Sequence, residues 1–412
     1  MHYFPIYEKH FSRFINQSVV FLEIGVSRGG SLQLWKRYFG PFVTIVGIDI
    51  DPKCKEIEED QIHVRIGDQS DTVFLQSVLD EFGPPDIVLD DGSHVMMHIC
   101  KTWDYMYDKI NENGVYFVED LHTAYFDDYG GGLKREGTFI ERCKDLVDNL
   151  HARKKSFAKA TYSMSCYDSV VAFEKRRLYD LIEERQIASN PVYGDCFDKF
   201  VNRPVVFWMF GTDDSFSVWK QYLGPFAVIV GINDNFEENY TQDGQIYVRV
   251  GNVFDAGFLQ SIIDEFGSPD AVLDNANCGA ENVLKKWELL YDKVSKNGVY
   301  LVEGLDSGNQ AYNANVFIER CKELLDFLNA KYNELDSSFA GITYNMSFYI
   351  DCVAFEKKLM NESAVRAVCR PTIPFTFKER VVNIVVNILK KLGLFNITKK
   401  IYRTIFPIKS IN

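Results

Sequence analysis

The chain has 412 residues, 46% hydrophobic and 25% charged, with 58 Asp+Glu against 45 Lys+Arg and a net charge of −13. Such a composition belongs to globular protein, and the length suits two or three domains, each able to bury a core. It contains no apolar run of about 18 residues that would span a membrane, and its acidic balance argues against nucleic acid as a partner.

Met1-His2-Tyr3-Phe4-Pro5 lacks the basic and apolar regions of an export signal. Nine cysteines are scattered without a C-x-x-C pair or zinc spacing, so free thiols in a reducing cytoplasm are expected. The charge is uneven. From Thr376 to Asn412 eight basic residues face one acid, so this segment is +7 and residues 1–375 carry −20.

In chain order, short apolar runs at Val19–Ile24, Thr44–Ile48, Ile62–Ile66, Asp86–Leu89 and Val115–Val118 read as strands. Helix-length stretches separate them, among them Ser31–Tyr38, Thr72–Glu81 and His98–Ile110. This alternation predicts an α/β fold with a mainly parallel sheet covered by helices on both faces. Ligands of such sheets bind beyond the carboxyl ends of the strands. Every predicted strand here ends in an acid or a glycine.

The first strand runs into Glu23-Ile24-Gly25-Val26-Ser27-Arg28-Gly29-Gly30-Ser31, a turn where glycines allow close approach of a ligand. The spacing is neither the dinucleotide fingerprint nor a P-loop. The second strand ends in Asp49, whose carboxylate can accept both hydroxyls of a ribose, and the third in Gly67-Asp68-Gln69, beside an adenine amino group. In this order, the loop and the two acids resemble class I S-adenosylmethionine-dependent methyltransferases. The resemblance implies that Glu23, Gly25 and Gly29 line the methionine part of the cofactor, that Asp49 holds the ribose and Asp68 the adenine side, with Asp90 adjoining. The alternative is another nucleotide-binding fold with acids at its loop tips.

The fourth strand ends in Asp90-Asp91-Gly92-Ser93-His94 and the fifth in Glu119-Asp120-Leu121-His122. Hard carboxylate oxygens suit Mg²⁺, and two vicinal sugar hydroxyls can complete its shell. The pattern resembles the metal-dependent sugar O-methyltransferases of macrolide pathways, the mycinamicin and macrocin type, and methyltransferases of bacterial surface glycans. That resemblance implies Asp91 and Asp120 as metal ligands, Glu119 as a further one, and His94 as the base that deprotonates the sugar hydroxyl for in-line attack on the sulfonium methyl. Alternatively Asp90 only fixes the loop and His94 is a polar helix-start residue. His98 lies four residues after His94, so a helix there would set both on one face as a zinc pair, though no third soft ligand accompanies them. Residues 125–132, ending in three glycines, read as a loop able to close over the sugar, or as an ordinary turn. The role of His122 is open.

The chain also repeats itself. Trp35–Phe42 recurs as Trp219–Phe226, Phe74–Gly83 as Phe258–Gly267, Asn113–Tyr116 as Asn297–Tyr300, Phe139–Lys144 as Phe317–Lys322 and Val171–Lys175 as Val353–Lys357. A unit this long predicts tandem Rossmann-like domains, at 1–175 and 196–358, with a connector at 176–195 and a linker and basic tail at 359–412. In the second copy Asp49 becomes Asn233, Asp68 Asn252, Asp91 Asn275, His94 Cys278 and Asp120 Gly304, while packing residues survive. The second copy is therefore expected to lack the chemistry. It would act as the partner in an intramolecular pseudo-dimer, or would hold the acceptor.

In the tail, Phe377, Val381, Ile384, Val385, Ile388 and Leu392 recur at helical spacing among Lys and Arg. Such a helix docks on an anionic membrane surface or on a partner such as a glycosyltransferase, or packs on its own domain. Membrane docking would suit a lipid-linked glycan acceptor. A non-catalytic scaffold for glycan assembly and a hydroxylase-like relative of the fold are the competing functions.

Overall fold

The computed structural model describes residues 3–151, 156–176, 190–210, 215–233, 244–276, 279–305 and 311–359. The tail, and residues 177–189 of the connector, lie outside them. Residues 1–359 form one compact unit. Its strands are β1 Val20–Ile24, β2 Thr44–Asp49, β3 Ile62–Ile66, β4 Ile87–Asp90, β5 Val115–Val118, β6 Thr161–Tyr167 and β7 Val170–Lys175, followed by β8 Val205–Phe210, β9 Ala227–Asn233, β10 Ile246–Val250, β11 Ala271–Asn275, β12 Val299–Glu303, β13 Thr343–Phe348 and β14 Val353–Lys357.

All fourteen belong to one sheet, in the order β10-β9-β8-β11-β12-β14-β13-β6-β7-β5-β4-β1-β2-β3. In each half five strands run parallel and a hairpin closes the half antiparallel to them. The halves meet where β6 pairs antiparallel with β13, Cys166 opposite Met346 and Ser165 opposite Ser347. The sequence reading expected a sheet in each domain. The two join because the closing hairpin of each half would otherwise leave an unpaired edge, and the two edges cover one another.

Local chemistry explains the elements. In β1, Phe21 packs on one face while Leu22 and Ile24 pack on the other. Both faces are apolar because helices cover both. The Asp71 side chain caps the helix Thr72–Phe82 by accepting from the Val73 and Phe74 amides, and Gly83 ends it at φ 82°. Asp255 and Gly267 bound the helix Ala256–Phe266 in the same way. The predicted helix at His98–Ile110 runs instead from Met96 to Met106 and tightens into a 3₁₀ turn at Tyr107–Lys109.

The two faces of the sheet differ. On one, a single hydrophobic core runs through both halves and includes the helices Phe139–His151 and Ala311–Leu328. On the other lie two cores, one built mainly from each half, with Tyr162 of the first half in the second core and Tyr344 of the second half packed on the first. There the helix Phe4–Phe11, which sequence reading did not anticipate, lays Tyr7 and Phe11 against Trp35 and Phe117. Burying each such ring contributes roughly 1.5–3 kcal/mol. That anchorage carries Tyr3 and Tyr7 to the strand ends. No described helix is long and apolar enough to cross a membrane.

Candidate functional site

The carboxyl ends of β1, β2, β3, β4 and β5 gather the acids. At the end of β1, Glu23 is buried, and its Oε2 has no hydrogen-bond partner. Burial pushes its carboxyl up to about 8, a hydrogen bond from Ser31 opposes this, and the charge of Asp91 adds to it. The loop beyond needs its glycines for its own packing. A Cβ at Gly25 would collide with the Asp91 carbonyl, and one at Gly29 with the Ile57 side chain; both glycines are left-handed, at φ 96° and 70°.

Asp49 ties this loop to β2. Its Oδ2 accepts from the Ser27 amide and its Oδ1 from the Asp51 amide, each at 2.8 Å. Asp68 accepts from the Ser70 amide at 2.7 Å, a bond that holds its carboxyl below the usual range. Asp90, expected beside the cofactor, makes hydrogen bonds within the protein. It is buried, with Oδ1 accepting from Gln69 and Oδ2 from Tyr116, and burial pushes it up to about 6. It fixes the end of β4. Gln69 completes that fixation by accepting from the Ser93 amide at 2.7 Å.

Asp91, His94 and Asp120 come together, each offering a ligand atom, all within 4.8 Å of one another. His94 Nε2 lies 3.8 Å from Asp91 Oδ1 and 4.0 Å from Asp120 Oδ2. Burial and then the charge of Asp120 push Asp91 up to about 7, while burial lowers His94. Two carboxylates and an imidazole at this separation form a donor set that a divalent cation fits, and a cation would relieve the repulsion between the acids. His94 adopts φ 57° and precedes the helix that starts at Met96. It therefore shares no helix face with His98, whose Nδ1 pairs with Ser93 Oγ at 3.0 Å. The zinc-pair geometry is not formed, because the chain turns left-handed at His94.

Glu119 stands outside the set of three. It is buried and accepts a hydrogen bond from the Tyr7 hydroxyl, and burial together with Asp91 holds its carboxyl far above the usual range. The Tyr3 hydroxyl donates to Asp120 Oδ1 at 2.7 Å. Sequence reading missed both tyrosines. One signal existed: Tyr7 recurs as Tyr193, which donates to Glu303 at 2.5 Å. His122, left open above, is held by Ser169 Oγ at 2.7 Å and stacks on Tyr332 with ring centroids 4.8 Å apart. The glycine-ended segment is folded into 3₁₀ turns at Leu121–Tyr125 and Asp127–Tyr129, and Tyr129 lies against His94.

In the second half, the strand ends hold Asn233, Asn252, Asn275 and Gly304, and buried Asp274 accepts from Tyr300 at 2.7 Å and pairs with Lys286. Residues 211–214, 234–243 and 277–278, which include Cys278, lie outside the described residues.

No family model matches the chain. It is 43% identical over 161 residues to an 8-demethyl-8-(2-methoxy-alpha-L-rhamnosyl)-tetracenomycin-C 3'-O-methyltransferase of Streptomyces olivaceus, a match covering 36% of this chain and 41% of that protein. It is 38% identical over 161 residues to the mycinamicin VI 2''-O-methyltransferase of Micromonospora griseorubida, covering 36% of this chain and 40% of that one. The chain thus spans about two fifths of the length of the curated relatives it matches. Among solved structures, a methyltransferase of the mycinamycin biosynthetic pathway in complex with Mg, SAH and Mycinamycin VI is 32% identical, covering 46% of this chain and 52% of that one, with a TM-score of 0.41.

Proposed function

We propose that residues 1–175 form an S-adenosylmethionine-dependent, Mg²⁺-dependent O-methyltransferase domain acting on a sugar hydroxyl of a glycosylated metabolite or glycan. The observation that carries this reading is the convergence of Asp91, His94 and Asp120 beyond the ends of β4 and β5, beside the loop that Asp49 braces. Similarity to sugar O-methyltransferases at 38–43% identity supports the reaction class.

In this reading Asp91 and Asp120 hold the cation and Asp49 and Asp68 hold the nucleoside side of the cofactor. The unpartnered Oε2 of Glu23 supports the fit, because an ammonium such as that of the methionine part would satisfy it. A cation held there would supply Lewis acidity that makes a neighbouring sugar hydroxyl easier to deprotonate. His94, kept neutral by its lowered affinity for protons, takes that proton at Nε2. Tyr3 keeps Asp120 turned inward by donating to its Oδ1, and Glu119 braces the same strand end through Tyr7. A second assignment, His94 as third ligand, is favoured by its distance of 4.0 Å or less from both carboxylates.

Residues 196–358 are, in this proposal, a duplicate that has lost the ligands and serves as the partner in an intramolecular pseudo-dimer. The equal strand order of the two halves supports this. The basic tail would dock the enzyme on an anionic surface or a glycan-assembly partner, bringing a lipid-linked acceptor within reach. Calorimetric titration of the full chain with S-adenosylmethionine tests the proposal. One site per chain is expected; two equal sites, or none, would contradict it.

A further inference from the structure

Asp120 has a left-handed backbone, φ 52°, which a non-glycine residue keeps only where its surroundings over-determine it. At the matching position of the second half stands Gly304, φ 74°, which adopts that conformation freely. What holds Asp120 is the turn that follows it. The Leu121 amide donates to the Ser169 carbonyl at 2.9 Å, and the His122 amide and Nδ1 both reach Ser169 Oγ, at 3.2 and 2.7 Å. Ser169 is itself fully buried and left-handed, at φ 69°, in the turn between β6 and β7.

The second half completes this support. Asn329 Oδ1 accepts from the Ser169 amide at 2.9 Å, and the Asn329 side-chain amide is fixed by the Leu325 carbonyl. Tyr332, three residues on, stacks on the His122 ring at an interplanar angle of 27°. His122 Nδ1 lies 3.9 Å from Asp120 Oδ1.

We propose that Asn329 and Tyr332 are positioning residues for the cation site. One short segment of the half without ligands pins both partners of the turn that aims Asp120. The second half then acts on the chemistry directly, through a clamp on a strained ligand, besides covering the edge of the sheet. This rests on the reading of Asp120 as a cation ligand.

The test is Mn²⁺ binding to the full chain, followed by electron paramagnetic resonance, with S-adenosylmethionine affinity measured in parallel. Y332L and N329A should each weaken Mn²⁺ binding by about tenfold, as loss of support behind a metal ligand typically does. Y332F, which keeps the stacked ring, should stay within about twofold of wild type, and cofactor affinity should hold in all three. Should Y332L not fold, N329A, which removes the Ser169 acceptor and the bond to the Leu325 carbonyl but leaves the stacked ring in place, decides the matter. Wild-type affinity in N329A and Y332L would overturn the clamp and leave the cation reading intact. A wild-type chain that binds no Mn²⁺ would overturn the cation reading, and the clamp with it.

Discussion

His94 and Asp120 face each other at 4.0 Å, and both hold left-handed backbones, at φ 57° and 52°. Neither is glycine, so each conformation costs on the order of 1–2 kcal/mol. Two such residues at neighbouring strand ends form a site whose geometry is maintained against local preference. Thr123 links them, its hydroxyl lying 2.8 Å from the Asp120 carbonyl and 3.3 Å from that of His94.

Removing either carboxylate should strongly weaken cation binding while sparing the cofactor. D91N and D120N are expected to lower Mn²⁺ affinity about a hundredfold and to leave S-adenosylmethionine affinity within about threefold. Calorimetry on the full chain measures both. Full cation affinity in D91N would remove Asp91 from the site.

His94 can be assigned by separating binding from turnover. As base, its loss in H94Q should reduce kcat about a hundredfold or more with cation affinity held. As third ligand, H94Q should weaken the cation about tenfold as well. In wild type, a base whose protonation is disfavoured by burial gives a rate that rises with pH and levels off at lower pH than an exposed histidine would give.

Asp49 accepts two backbone amides that shape the glycine loop. D49A should therefore weaken S-adenosylmethionine binding about tenfold or more while cation binding persists. Equal cofactor affinity in D49A would place the cofactor elsewhere.

Glu23 supplies a stability signature. Its folded-state affinity for the proton is raised, to about 8, above that of the unfolded chain. Its protonated form therefore favours folding below the unfolded pKa, and that contribution is lost as pH rises through about 8. E23Q, which cannot ionise, should be more stable than wild type at pH 9 by roughly 3–5 kcal/mol, and about equal at pH 5. Thermal unfolding at the two pH values measures the difference; one offset at both would show that Glu23 does not ionise there.

Much of this was legible in sequence because it is local. Strands ending in acids and glycines announced themselves through short apolar runs, and β3 and β5 fall on the residues predicted, Ile62–Ile66 and Val115–Val118. The gathering of Asp91, His94 and Asp120 followed from placing neighbouring strand ends side by side. What stayed hidden depends on contacts between distant residues. Tyr3 reaches Asp120 across 117 positions, and Asn329 reaches Ser169 across 160. Asp90 carries the same acid as its neighbours, and no local signal announced its burial against Gln69 and Tyr116. Whether His94 and His98 share a helix face stayed open in the sequence, because no local signal announced the left-handed turn before Met96.

The most direct measurement is transfer of a labelled methyl group from S-adenosylmethionine to a panel of glycosylated acceptors by the full chain, with Mg²⁺ and with a chelator. The account predicts transfer to a sugar hydroxyl that requires Mg²⁺ and falls at least about a hundredfold in D91N. Transfer that continues undiminished with chelator and in D91N would contradict it.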